Sequence, residues 1–414
     1  MKEKAASNDG QPIIDIDLGL RRAASLNPDK LALADSNRRL TWAEFDARIN
    51  QVANALIASG LQPNDRLAIL GRNSLAYLEV FFGGLRAGVC ITPLSTLAHR
   101  DALTNMIIDS GSKVLFISRD YLDMVNVPKG LEHTTIILDG VSNDDQILGG
   151  IPYTCFEDFI APFPVSLPDM SDLSEYLSPD HGFNLIYSSG TTGMPKGILQ
   201  QRKYRAQESS DVLAAGWINE NSRFLVSTPL YSNTSLGLLF PTLVAGGSVF
   251  LMEKFDTRRF LQLSQDNAIT EAMLVPVQYE RLLNDPDFDQ FDLSSYRHKF
   301  STSAPLHQQT KEQLLERWPA GGLVEIYSMT EGGVGCVLLG HERPDKLDTV
   351  GQAALGCDLK IINDKGEELG HGEPGEIIGH SSKMMRGYEN RAEATNEASW
   401  FDQEARRYQR SGDI

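Results

Sequence analysis

The chain is short of positive charge, sparing with cysteine and without a long unbroken apolar run, and each shortage closes off a class of protein. Lys and Arg total 38 against 55 Asp and Glu, a formal charge of −17. Nucleic acid and anionic membrane surfaces repel such a chain, although a local basic site can still hold a small anion. The four cysteines, Cys90, Cys155, Cys336 and Cys357, lie far apart and form no CxxC pair. They read as reduced thiols of a cytosolic protein, mostly small core residues. The eight histidines show no HExxH or comparable ligand spacing, so no histidine metal site is assigned. The N-terminus, MKEKAASNDGQP, lacks the apolar stretch of a signal peptide. The most apolar long window, residues 224–252, is interrupted by Pro229, Asn233, Pro241 and a glycine pair. It reads as a buried strand–helix–strand unit and not as a membrane span.

What is present is ordinary for a globular protein: 414 residues, 41% hydrophobic and 22% charged, enough for two or three subdomains. Thr41 and Glu44 form a capping box, after which Phe45, Ile49, Val52 and Leu56 fall on one helical face. Strand signals at 66–70, 89–91, 113–118 and 135–138 alternate with helical ones, including a helix over 75–87. Beyond a Pro-, Ser- and Asp-rich connector at 160–182, strands are expected near 183–187, 224–228, 248–252, 271–275, 298–302 and 323–327. Helices near 236–246, 257–267, 277–284 and 307–318 separate them. This alternation predicts an α/β fold, a mostly parallel sheet with helices on both faces. After Glu331 glycines multiply and helical periodicity fades; IINDKGEEL reads as two short strands around a turn at 364–366, in a small β-rich subdomain. The subdomains are expected at about 17–180, 181–334 and 335–414.

One stretch carries chemistry. SSGTTGMPKG, residues 188–197, follows an apolar strand and offers backbone amides, hydroxyls and a lysine, a composition suited to phosphate. Taken alone, such a cluster reads equally as a polar surface turn. It is not GxxxxGK[ST], since Lys196 is followed by Gly197, nor GxSxG, since no glycine stands two residues before Ser189.

The whole string resembles the phosphate-binding loop of the adenylate-forming superfamily of acyl-CoA synthetases, luciferases and peptide-synthetase adenylation domains. EIYSMTE (325–331), TSAPL (302–306), PLYSNTSLG (229–237), GEIIGHSSKMMRGY (375–388) and SGD (411–413) resemble further family segments, in family order, and cover nearly the whole chain. The resemblance implies two mostly parallel sheets in an α/β/α/β/α layering plus the small β-rich subdomain, all belonging to the large N-terminal AMP-binding domain. It implies ATP, Mg²⁺ and coenzyme A as cofactor and co-substrates. A carboxylate attacks the ATP α-phosphorus to give an acyl-adenylate and pyrophosphate, and a thiol then displaces AMP. Ser188, Ser189, Gly190, Thr191, Thr192, Gly193 and Lys196 would hold the phosphates. Ser303, Ala304, Pro305, Glu325, Ile326, Ser328 and Met329 would border the nucleotide, Tyr327 would stack on adenine, Thr330 would donate to the α-phosphate and Asp413 would take the ribose hydroxyls. Glu331 would ligate Mg²⁺, with Thr191, Lys196 and Thr330 as its catalytic companions. Tyr231, Ser232, Asn233, Thr234, Thr302, Met329 and Gly332 would line the acyl pocket.

The sequence departs from the pattern at Ser232, where the family often has histidine, at Ser328, which replaces a glycine, and at Gln201, where a Thr-His pair often follows the loop. No aspartate stands in 231–234 to hold an α-amino group, so an amino-acid substrate is not expected. The family continues past the segment matching 411–413 into a mobile C-terminal domain with a catalytic lysine. A chain without that domain is expected to form the adenylate slowly and no thioester. Alternative readings are an acyl-AMP ligase feeding a carrier protein, or a non-catalytic nucleotide-binding module. The expected partners are a small carboxylic acid, ATP and coenzyme A, in a cytoplasmic monomer or homodimer with no nucleic acid and no membrane span.

Overall fold

The computed structural model describes residues 14–127, 131, 134–139, 147–148, 151–169, 178–188 and 195–414. Two large sheets dominate. One has nine strands, in the order Gln352–Ala353, Gly335–Leu339, Gly322–Ser328, His298–Ser301, Glu271–Leu274, Arg223–Val226, Ser248–Leu251, Leu31–Ala34 and Arg39–Thr41. Its central strands are parallel and its edge pairs antiparallel. The other has seven, in the order Lys196–Gln201, Gly182–Ser188, Cys90–Pro93, Arg66–Leu70, Val114–Ile117, Thr135–Ile137 and Thr154–Cys155, all parallel except the first pair. Neither sheet stays on one side of residue 181: the Leu31–Ala34 and Arg39–Thr41 strands join the later units, and the two strands flanking residues 189–194 join the earlier ones.

Between the sheets lie helices with no solvent face. In Leu75–Arg86 every residue but Ala76 is buried, and Asn233–Val244 is nearly as enclosed. A helix apolar on all sides belongs in such a middle layer. Phe81 of the first helix, Phe240 of the second and Phe183 of the seven-stranded sheet meet there, with Phe183 and Phe240 edge-on at 5.1 Å. The layered α/β fold inferred from the sequence is therefore the observed one.

Locally, Thr41 and Glu44 form the expected capping box, with Glu44 N–H donating to Thr41 Oγ1 at 3.2 Å and Thr41 N–H to Glu44 Oε2 at 2.7 Å. Of the four cysteines, Cys90, Cys155 and Cys336 are buried and Cys357 is partly exposed. Residues 335–353 extend the nine-stranded sheet, and a separate four-stranded antiparallel sheet begins at Asp358, ordered Asp358–Ile362, Glu376–His380, Arg407–Arg410, Ser399–Phe401. The hairpin expected in IINDKGEEL is reduced to one strand and a lone bridge, Ile362 to Glu368, because the strand takes Glu376–His380 as its partner instead. No helix among the described residues is long and apolar enough to cross a membrane.

Candidate active site

A cavity of about 1380 Å³ opens where several strands end, the usual place for ligands in parallel α/β sheets. Ser188 lies at the end of one strand, Thr302 and Ser303 just beyond another, and Ile326 and Ser328 on a third; all line the cavity. So do Tyr231, Ser232, Asn233 and Thr234, and Met329, Thr330 and Gly332. Ser189, Gly190, Thr191, Thr192 and Gly193 lie outside the described residues. Their flanks are close: Ser188 and Lys196 face each other as register partners in an antiparallel strand pair. Sequence reading had not found that second strand, whose glycine and paired glutamines carry little strand signal.

One wall of the cavity is hydroxyl-rich. Ser232 caps the Asn233–Val244 helix by accepting from Thr234 N–H at 3.3 Å. Its hydroxyl also donates to Thr234 Oγ1 at 3.1 Å, and Thr234 Oγ1 and Ser303 Oγ share a hydrogen bond at 2.6 Å. Ser303 adopts φ +75°, a left-handed backbone uncommon for serine. Ala304 and Pro305 are exposed after it, and Leu306 anchors the segment by donating its N–H to Glu325 Oε1 at 2.8 Å. Glu325 is buried and paired with Lys311 at 2.5 Å, so its side chain supports this segment and does not line the cavity.

Around the Thr-Glu pair, Tyr388 donates its hydroxyl to Glu331 Oε1 at 2.7 Å, and Lys196 Nζ stands 4.9 Å from the centroid of the same ring. Burial first, and the Glu331 charge second, push the Tyr388 hydroxyl's pKa up, so it stays a donor. Gly332 has φ +71°, and a Cβ there would fall 2.3 Å from the Lys383 carbonyl oxygen. Tyr327 donates to Asp413 Oδ2 at 2.7 Å; burial and that bond raise its pKa, while Asp413 itself is exposed. Among the described residues no group of three or more His, Cys, Asp or Glu is placed to hold a metal. Glu331 is a single carboxylate, which suits Mg²⁺ carried in on phosphate oxygens and not a cage made by protein alone.

The cavity also has a polar flank that sequence reading missed. Lys383 pairs with Asp211 at 2.7 Å, and Glu208 and Cys357 lie on the same wall. Burial works to lower the Lys383 pKa, but the Asp211 charge and hydrogen bond raise it on balance. Glu208 and Asp211 stand three residues apart on the Arg202–Ala214 helix, whose polar sequence hid it.

A chain with this fold and this cavity matches one family: residues 20–389 fit the profile described as AMP-binding enzyme. The chain belongs to that family. It is 30% identical to feruloyl-CoA synthase of Amycolatopsis sp over 394 residues, covering 92% of this chain and 73% of that protein. It is 28% identical to luciferin 4-monooxygenase of Photinus pyralis, over 90% and 68% of the two chains. It is 26% identical to the long-chain-fatty-acid–CoA ligase FadD13 of Mycobacterium tuberculosis, over 95% and 75%. Among solved structures, the inhibitor-bound N-terminal domain of FACL13 from the same organism superposes with a TM-score of 0.80 at 22% identity, covering 97% of this chain and 100% of that one. The anthranilate CoA ligase AuaEII in complex with anthranoyl-AMP superposes with 0.82 at 22% identity, covering 99% and 80%. At that identity these two structures share the fold.

Proposed function

We propose that this protein activates a small carboxylic acid with Mg·ATP to an acyl-adenylate, from which the thiol of coenzyme A takes the acyl group in the full reaction. An acid carboxylate oxygen bonds to the α-phosphorus as the bond to the bridging oxygen breaks, and pyrophosphate leaves. The thiolate then attacks the acyl carbon and AMP leaves. The observation that carries this reading is the meeting of two sets of groups at one cavity. Thr330 and the Ser232–Thr234–Ser303 hydroxyl chain line it, and Tyr327, paired with Asp413, lies three residues before Thr330 at the end of the Gly322–Ser328 strand.

Thr330 and the Tyr327–Asp413 pair suit a nucleotide, and the hydroxyl chain suits a carboxylate. Lys196 and Ser188, at the two ends of the 189–194 segment, would hold the phosphates, together with Ser189, Gly190, Thr191, Thr192 and Gly193 within it. Tyr327 offers a ring to adenine, Asp413 an acceptor to the ribose hydroxyls, and Thr330 a donor to the α-phosphate. Glu331 would hold Mg²⁺, whose charge neutralises the phosphates as negative charge shifts onto the leaving group. Tyr231, Asn233, Thr302, Met329 and Gly332 form the acid's side. Relatives named as CoA ligases of aromatic and fatty acids support the reaction class.

Exchange of radiolabelled pyrophosphate into ATP, measured across aryl and alkyl acids, tests the first half. Acid-dependent exchange is expected. No exchange with any acid, together with no binding of ATP, would refute the reading.

A further inference from the structure

Arg205 is fully buried, yet it is not among the residues assigned above to nucleotide or acid. Its guanidinium serves four acceptors. Nε donates to Asn184 Oδ1 at 3.0 Å, Nη1 to Glu208 Oε2 at 2.7 Å, and Nη2 both to Asn233 Oδ1 at 2.6 Å and to Gln200 Oε1. Asn184 also donates to Gln200 Oε1 at 3.0 Å, and Gln200 Nε2 donates to the Thr330 carbonyl at 3.1 Å. Tyr204 and Phe240 close the two sides, each ring centroid 5.4 Å from the guanidinium carbon.

Glu208 lies on the same helix as Arg205, but the rest of the network joins three separate pieces of the site. Asn184 and Gln200 face each other across the strand pair that flanks residues 189–194, four residues before Ser188 and four after Lys196. Asn233 opens the cavity-lining helix. Thr330 belongs to the turn between the Gly322–Ser328 and Gly335–Leu339 strands of the nine-stranded sheet. One cation therefore ties the phosphate-side strands to the acyl-side helix directly, and to Thr330 through Gln200. Stability alone is a weak reason for such a group, because burying a charged network is costly and an apolar core of the same volume is often as stable. What the network supplies is a fixed relative placement.

We propose that Arg205 is a positioning residue that holds the nucleotide and acyl halves of the site at one separation, with Gln200 as its relay to Thr330. The proposal rests on the adenylation reading above. Its signature is selective. A ligand spanning both halves needs the fixed separation, whereas ATP occupies one half only.

The test is calorimetric titration, at a temperature well below melting, of wild type, Arg205→Lys and Gln200→Met. The ligands are Mg·ATP and the tightest-binding of acetyl-, benzoyl-, feruloyl- and dodecanoyl-sulfamoyladenosine. Lysine keeps the charge but cannot serve four acceptors; methionine removes the relay at nearly constant volume. Both variants are expected to lose roughly tenfold in affinity for the acyl-adenylate analogue and less than about threefold for ATP. Unchanged affinity for the analogue, or equal losses for both ligands, would overturn the positioning role. If Arg205→Lys does not fold, Gln200→Met alone decides by the same criterion. Failure of wild type to bind ATP and all four analogues would instead overturn the adenylation reading.

Discussion

The hydroxyl of Tyr388 donates to Glu331 at 2.7 Å while the face of its ring holds Lys196, 4.9 Å from the centroid. The ring therefore touches both an ammonium and a carboxylate, and gives each a partner other than the opposite charge. In the proposed reaction, that leaves Lys196 to phosphate and Glu331 to a cation. Tyr388→Phe retains the ring and removes one hydrogen bond to a charged acceptor. It should cost about 1–2 kcal/mol in urea unfolding and leave most pyrophosphate exchange intact. Tyr388→Ala removes the spacer and should lower exchange by roughly a hundredfold, comparable to losing an electrostatic group of the site. Equal effects of the two substitutions on exchange would refute the spacer role.

Gly332 follows Glu331 directly, and its backbone explains why no other residue fits. With φ at +71° and a would-be Cβ 2.3 Å from the Lys383 carbonyl, Gly332→Ala meets backbone and not a movable side chain. The left-handed conformation alone costs about 1 kcal/mol, and displacement of the 383–385 segment adds to it. That segment also donates Met385 N–H to the Glu331 carbonyl at 2.7 Å. A destabilisation of roughly 2–4 kcal/mol is expected in denaturant unfolding. A change within about 0.5 kcal/mol would show that the close contact is not present in solution.

Ser303 separates backbone strain from side-chain chemistry. Its φ of +75° favours glycine, while its hydroxyl bond to Thr234 at 2.6 Å favours serine. Ser303→Gly gains about 1 kcal/mol from the backbone and loses about as much with the hydrogen bond, so its melting temperature should hardly move. Ser303→Val loses the bond and adds a β-branched side chain at positive φ, and should melt lower by several degrees. Both should raise KM for the acid more than KM for ATP, because the proposed reaction puts Thr234 on the acyl side. A larger effect on ATP would place Ser303 in the nucleotide half instead.

Much of this was legible in the sequence because the signals were local. The 66–70 strand, the Thr41–Glu44 cap and the 75–87 helix depend on near neighbours, and the observed elements agree to within a residue or so. The acyl-side hydroxyls at 232–234 and the Thr330–Glu331 pair carried recognisable strings. What stayed hidden depends on partners far along the chain. Arg205 and Gln200 look like surface residues of a polar segment until Asn233 and Thr330 arrive from distant parts of the chain. The Leu31–Ala34 strand gives no local hint that its partner is Ser248–Leu251. Lys383 reads as one more charge until Asp211, 172 residues away, supplies its counter-ion.

His298, at the start of a central strand of the nine-stranded sheet, gives a pH dependence separate from catalysis. Burial, then the Arg297 charge and His341, lower its pKa to about 4, against an ordinary value of 6.5. Between those values the unfolded chain binds a proton that the folded chain refuses, so stability falls as pH drops from about 6.5 to about 4. Above that window both states are neutral and the effect is absent. The residue is only half buried, and solvent screening reduces its share to about 1–2 kcal/mol. His298→Gln removes the titrating group while keeping a polar side chain. In urea unfolding series from pH 7.5 down to 4.5, the gap between wild type and His298→Gln should shift in favour of the variant as pH falls. Carboxylates titrate in both proteins and cancel in that difference. A gap that stays constant across the window would mean that His298 accepts its proton in the folded state as readily as in the unfolded one.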